Sequence, residues 1–193
     1  MSTRNPSPLP SVGFLTVVDD GSGCLLGGYL VVNASGRPLE FQCTAPVKAN
    51  RAQEILYGPT LKPYLWGEQI GGALISKSRS RPLFVCTNQL DTFAVRTAVE
   101  VPVLQITQHE MTQPGAVGPD RDHQGIHPAQ EQLTLGPYAG RVSRSHPRDR
   151  RAIEAAWKAH LVDLNLSEPF TRIREAISEA QRAARGPASR TAA

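Results

Sequence analysis

The sequence predicts an α/β fold: a three-stranded antiparallel meander followed by a βαβ unit in one mixed sheet, with two amphipathic helices at the C-terminus. Three observations carry this expectation. Short apolar runs rich in β-branched residues alternate with Gly, Asn and Pro turns between Val12 and Cys43. An apolar run, a helical pattern and a second apolar run succeed one another between Leu83 and Ile106. Apolar residues then recur at helical spacing beyond Arg148.

The first strand is Val12, Phe14, Leu15, Val17 and Val18, ending at the turn Asp19-Asp20-Gly21-Ser22-Gly23. Cys24 to Val32 continues as a second strand around Gly27-Gly28, a pair suited to a bulge or a close backbone approach. Asn33 to Pro38 is a hairpin loop, and Leu39, Phe41 and Cys43 then alternate with Glu40, Gln42 and Thr44 as a strand with one wet face. Asn50 is a good N-cap for a short helix from Arg51 to Tyr57, stopped by Gly58-Pro59. A second helical piece starts near Thr60, with Pro63 tolerated in its first turn. Leu83 to Cys86 is continuously apolar, as in a strand buried on both faces. Gln89 to Ala98 forms the crossover helix, and Val101 to Ile106 the parallel strand that follows.

From Gln108 to Pro147 the periodicity gives way to Pro, Gly, Gln, Asp and His, which reads as a linker or lid. Beyond it, Ile153, Trp157, His160 or Leu161, and Leu164 share one helical face. Ser167 then caps a helix whose stripe contains Phe170, Ile173 and Ile177, and Gly186-Pro187 ends it. The expected organisation is a disordered lead over 1–11, a mixed core over 12–107, a flexible linker over 108–147, a helical appendage over 148–186 and a disordered tail over 187–193. The two apolar stripes must be buried on the core, on each other or on a second copy. Ile173 and Ile177 are thus the expected docking face, and the expected partner is the chain itself or another protein.

Composition narrows the function classes. A chain of 193 residues needs neither disulfides nor metals to fold. Cys24, Cys43 and Cys86 are odd in number, widely spaced and set in apolar runs, so they are expected as reduced, buried thiols of a cytoplasmic protein. The polar, Pro-rich start lacks a signal-peptide core, and no apolar run is long enough to span a bilayer, so no membrane role is expected. From Arg141 to Arg190, ten Arg and one Lys face six Asp and Glu. Such a basic end solubilises, or meets an acidic partner or nucleic acid.

Chemistry-bearing motifs are sparse. GxxxxGK[ST], GxGxxG after a strand, GxSxG and HExxH are all missing. His109, Glu110, Asp120, Asp122, His123 and His127 are metal-binding residue types, but their spacing enforces no geometry, so no resident metal or other cofactor is expected. Cys86 and Thr87 end a central parallel strand, the edge where open α/β sheets place ligands, although no base is positioned to activate the thiol.

The order of elements from Asp19-Asp20-Gly21-Ser22 onward, through the helix beginning Asn50-Arg51-Ala52-Gln53-Glu54 to the strand ending Val85-Cys86-Thr87-Asn88, resembles the ribonuclease H-like fold over residues 14–106. The resemblance implies metal-dependent phosphodiester cleavage by two divalent cations held on acids. Matched residue by residue, Asp19 or Asp20 and Glu54 correspond to two of those acids. Glu54 stands one residue late, and Asn88 occupies the place of the second Asp, where a neutral amide lowers the charge that holds Mg²⁺. The phrases GGYLVVN, GRPLEFQCTAPVK and NRAQEILYGPTL also resemble an uncharacterised bacterial protein family, which implies no mechanism. The expectation is therefore a non-catalytic binding or self-association module, the alternative being a diverged phosphodiesterase with an incomplete acidic site.

Overall fold

The structure is a computed structural model that describes residues 9–107 and 129–185. The described residues form seven strands in one mixed sheet, in the spatial order β3-β2-β1-β4-β5-β7-β6. β1 (Ser11–Asp19), β2 (Leu25–Asn33) and β3 (Pro38–Cys43) are successive antiparallel neighbours. β4 (Phe84–Thr87) then adds parallel to β1 on its other side, and β5 (Val103–Thr107) parallel to β4. Short connections favour such pairing of consecutive strands, and the β4 to β5 crossover is the helical turn α3 (Leu90–Phe93) with the 3-10 turn Ala94–Thr97.

The sheet divides two cores. On one face α5 (Glu168–Arg185), α4 (Arg148–Ala156) and the π-helical turn Trp157–Leu161 cover Val12, Phe14, Leu30 and Cys86. On the other a π-helical stretch, Pro63–Gly71, runs into α2 (Gly72–Lys77) and covers Leu15, Tyr29, Val31 and Val85. Neighbouring residues of a strand point to opposite faces, so Gly27 and Gly28 each admit one layer. A Cβ on Gly27 would lie 2.1 Å from Ile70 Cγ2, and one on Gly28 would lie 2.3 Å from Ile173 Cγ2. The expected close backbone approach at this pair is thus made on both faces at once.

α1 (Arg51–Tyr57) has the anticipated cap: the Asn50 side chain accepts from the Gln53 amide while the Gln53 side chain accepts from the Asn50 amide. The second helical piece continues unbroken through Gly71-Gly72 to Lys77.

Several expectations are corrected. The second part of the expected linker is structured: β6 (Gln130–Leu135) and β7 (Tyr138–Ser143) form a hairpin, and β7 joins the sheet beside β5. Leu133 and Leu135 alternate with Gln132 and Thr134 so that the leucines face the core, and Gly136, at φ 56°, makes the two-residue turn with Pro137. Residues 108–128, with the six metal-type side chains named above, lie outside the described residues. So do residues 1–8 and 186–193, which hold most of the expected lead and tail, although β1 already begins at Ser11. Residues 148–185 are no separate appendage, because Ile153, Trp157, Leu161, Phe170, Ile173 and Ile177 all belong to the core beneath the sheet. Asn165, rather than Ser167, meets the first free amides of α5, its Oδ1 accepting from Ser167 and Glu168.

Candidate functional site

The parallel strands β1, β4 and β5 run in one direction and end toward one edge of the sheet, the edge where open α/β sheets place ligands. β1 is register-matched to β4 from Val12↔Phe84 to Leu15↔Thr87, so Thr16 stands beside Asn88 as β4 ends. There Thr16 Oγ1 lies 3.3 Å from Asn88 Oδ1 and 3.1 Å from Gln89 Oε1. The Gln89 amide also pairs with the main chain of β1, accepting from Val17 N at 2.8 Å and donating to Val17 O at 2.8 Å. Thr92 Oγ1 adds a third donor to Gln89 Oε1 at 3.0 Å. One side chain thereby replaces the rung that a longer β4 would have supplied, meeting the requirement that buried main-chain groups be paired.

Beyond this amide cluster lies a cleft of about 390 Å³, floored by Asn88 and Ile106 and walled by the first turns of α5. Its charged groups are Glu168 and Arg174. Glu168 is held by Arg172 at 2.7 Å, and Arg174 donates to Thr171 Oγ1 at 3.4 Å. Phe170, which also lines the cleft, packs edge-on against Phe14 at 5.4 Å between ring centres and seats this end of α5 on β1.

The structure does not bring the sequence-matched acids to this place. Asp19 ends β1 three residues past Thr16, about 10 Å further along the strand, and on the opposite face. Its Oδ1 accepts from Gly21 N, while Asp20 Oδ1 accepts from Ser22 N and Ser22 Oγ, so both carboxylates bind within the turn that follows β1. Glu54 lies on α1, a helix with no buried residue, and pairs with Arg51 at 3.0 Å. Among the described residues no three His, Cys, Asp or Glu come close enough to hold a metal ion. The residues at the strand ends therefore do not fit a two-cation centre: Thr16, Asn88 and Gln89 are neutral, and their oxygens are engaged with one another and with β1.

Cys86 is completely buried, and burial pushes its thiol well above the ordinary value, the reverse of what a nucleophile requires. Thr87 is also buried, and its Oγ1 accepts from Gln89 N at 3.3 Å. Ile173 and Ile177 are buried against Gly28 within this same chain. The cysteines separate by depth: Cys86 is buried as expected, Cys24 is half-buried and Cys43 is exposed. Cys43 is exposed because β3 is an edge strand and α5 packs chiefly on β1 and β2 beside it. For the same reason Leu39 and Phe41 remain 45% and 41% exposed, while Glu40 and Gln42 occupy the less exposed face.

The arrangement offers neutral donors and acceptors beside an ion-paired rim, a chemistry of hydrogen-bonded recognition. Thr16 and Gln89 went unrecognised as site residues in the sequence. The available signal was a lone hydroxyl in the apolar run Phe14-Leu15-Thr16-Val17-Val18. No protein-family model and no curated protein matches the chain. Among the described residues no helix is long and apolar enough to cross a membrane.

Proposed function

We propose that this chain is a non-catalytic self-association module on a ribonuclease H-like frame. The order of its first five strands, with three antiparallel neighbours and then two parallel additions, supports the frame. The observation that carries the non-catalytic reading is the amide cluster: Thr16, Asn88 and Gln89 close the strand ends with neutral groups where metal-dependent cleavage would require converging carboxylates.

The association surface is not the α5 stripe, which is consumed internally, but the β3 edge. An edge strand presents unpaired main-chain groups, and β3 adds exposed Leu39 and Phe41 on one face. The occupant is a second copy, paired antiparallel about a two-fold axis at Phe41. In that register Glu40 faces Gln42 of the second copy, whereas a shift of one residue toward the N-terminus would oppose two Glu40 carboxylates. Cross-strand like charges disfavour the shifted register.

Sedimentation velocity of the full chain tests this reading, with a concentration-dependent dimer expected. Phe41→Asp should return it to monomer while keeping the parent's folded circular-dichroism spectrum, because Phe41 is outside both cores. A parent that stays monomeric at all concentrations removes the association reading. Mn²⁺-dependent cleavage of an RNA or DNA oligonucleotide by the parent removes the non-catalytic one.

A further inference from the structure

The formal charge of the chain is +4, and the whole excess resides in one stretch. From Arg141 to His160 six Arg and Lys face two Asp and Glu, leaving fifteen of each sign elsewhere. Both acids of this stretch are already engaged. Asp149 is buried and binds Arg96 in a two-pronged pair, at 2.6 Å and 3.0 Å. Glu154 holds Arg150 at 3.1 Å. Arg144, Arg148 and Arg151 are exposed, and among the described residues no hydrogen bond or ion pair engages their guanidinium groups. Lys158 continues the exposed row on the π-helical turn, about 15 Å along the axis from Arg148 at an α-helical rise.

The placement of these arginines runs against helix electrostatics. Arg148 opens α4 and Arg151 follows three residues later, where the helix dipole favours anions, and no side chain caps this end. A row of unpaired cations at the positive end of a helix is disfavoured within the chain and becomes favourable once an external polyanion lies along it. Guanidinium groups suit phosphate oxygens through paired donors. A lipid surface fits less well. The apolar side of this helical segment, Ile153, Trp157 and Leu161, is buried in the core, and exposed Ala152, Ala155 and Ala159 offer little to insert.

We infer that the row Arg144, Arg148, Arg151 and Lys158 is a binding surface for the phosphodiester backbone of a nucleic acid, without sequence preference. The surface starts where β7 leaves the sheet beside the beginning of β5, away from the strand ends that carry the amide cluster. It does not depend on the self-association reading and involves no bond cleavage.

Fluorescence anisotropy of the full chain with a labelled 20-mer, as single strand and as duplex, across a salt series tests the inference. Binding should weaken with salt, and the slope of log K against log salt for the duplex should be shallower by about 2 to 3 in Arg144→Ala/Arg148→Ala/Arg151→Ala, as expected for loss of three phosphate contacts. The corresponding triple Lys variant should keep most of the slope, since the slope counts the charges neutralised and not the geometry of each contact. Arg182→Ala, which removes an arginine paired with Glu179 on α5, should change nothing. The triple Ala variant should melt no lower than the parent, so a lost slope is not a lost fold. Absence of binding, a slope unmoved by the triple Ala change, or equal retention by polyglutamate or by phosphatidylserine vesicles would overturn the assignment.

Discussion

The contact between Gly28 and α5 can be tested quantitatively. Gly28→Ala places a Cβ 2.3 Å from Ile173 Cγ2 and 2.9 Å from Ile177 Cδ1, distances that packed carbon atoms do not tolerate. Overfilling a core of this kind costs about 1–3 kcal/mol, less about 0.4–1 kcal/mol regained from the stiffer unfolded chain. Ile173→Ala alone costs about 2–5 kcal/mol through lost burial and a cavity. The methyl it removes is the one that the new Cβ meets, so the double variant should be more stable than the sum of the singles by about 1–2 kcal/mol. Urea unfolding of the four proteins measures this coupling directly, and each kcal/mol corresponds to about 2–4 °C in melting temperature for a chain of this size. Additivity within about 0.5 kcal/mol would refute the direct seating of Ile173 on Gly28.

Three further outcomes are expected. Asp149→Asn or Arg96→Ala breaks a buried pair and should cost about 3–5 kcal/mol by thermal or urea unfolding, while a paired Arg96→Met/Asp149→Leu variant should recover much of it. Burial acts to raise the Glu40 carboxyl, but bonds from Ser80, Arg79 and Gln42 outweigh it and bring the pKa from 4.5 down to about 2. The folded value is depressed, so this stabilisation is present above pH 4.5 and is lost as the pH falls toward 2. The acid limb of a melting profile should flatten over that window in Glu40→Gln, and an unchanged limb would contradict the assignment. A thiol reagent should label Cys43 at once and Cys86 only after denaturant is added, the two rates separated by several orders of magnitude in native protein.

The meander, the Asn50 cap and the β4 to β5 crossover were legible because each is set by local pattern: two-fold alternation, a capping residue, and an apolar run between turns. The β6–β7 hairpin was hidden by its composition. Gln130, Gln132 and Thr134 dilute the alternation, and Gly136-Pro137 reads as easily for a linker as for the tight turn it makes. β3 shows a different limit, since periodicity reveals that a strand has two faces but not which one a helix will cover. Leu39 and Phe41 were legible as apolar and alternating, yet the end of the sheet leaves their side open. The acids misled for a reason of register. Asp19-Asp20-Gly21-Ser22 has the local form of a strand-end motif, but β1 outruns β4, so the neighbour of Asn88 is Thr16. Such a neighbour depends on long-range pairing, which no short motif encodes.

The Gln89 rung has a kinetic consequence. A main-chain rung exchanges its amide hydrogen only when the strand itself separates, but the Val17 amide is shielded by a side chain that can rotate away while the sheet stays intact. Its exchange with solvent deuterium should therefore follow a low-energy local opening, faster than that of Leu15 in the paired middle of the same strand and insensitive to global stability. In Gln89→Ala that protection should vanish at Val17 and persist at Leu15, so the sheet carries at this edge a clasp that opens independently of the fold it closes.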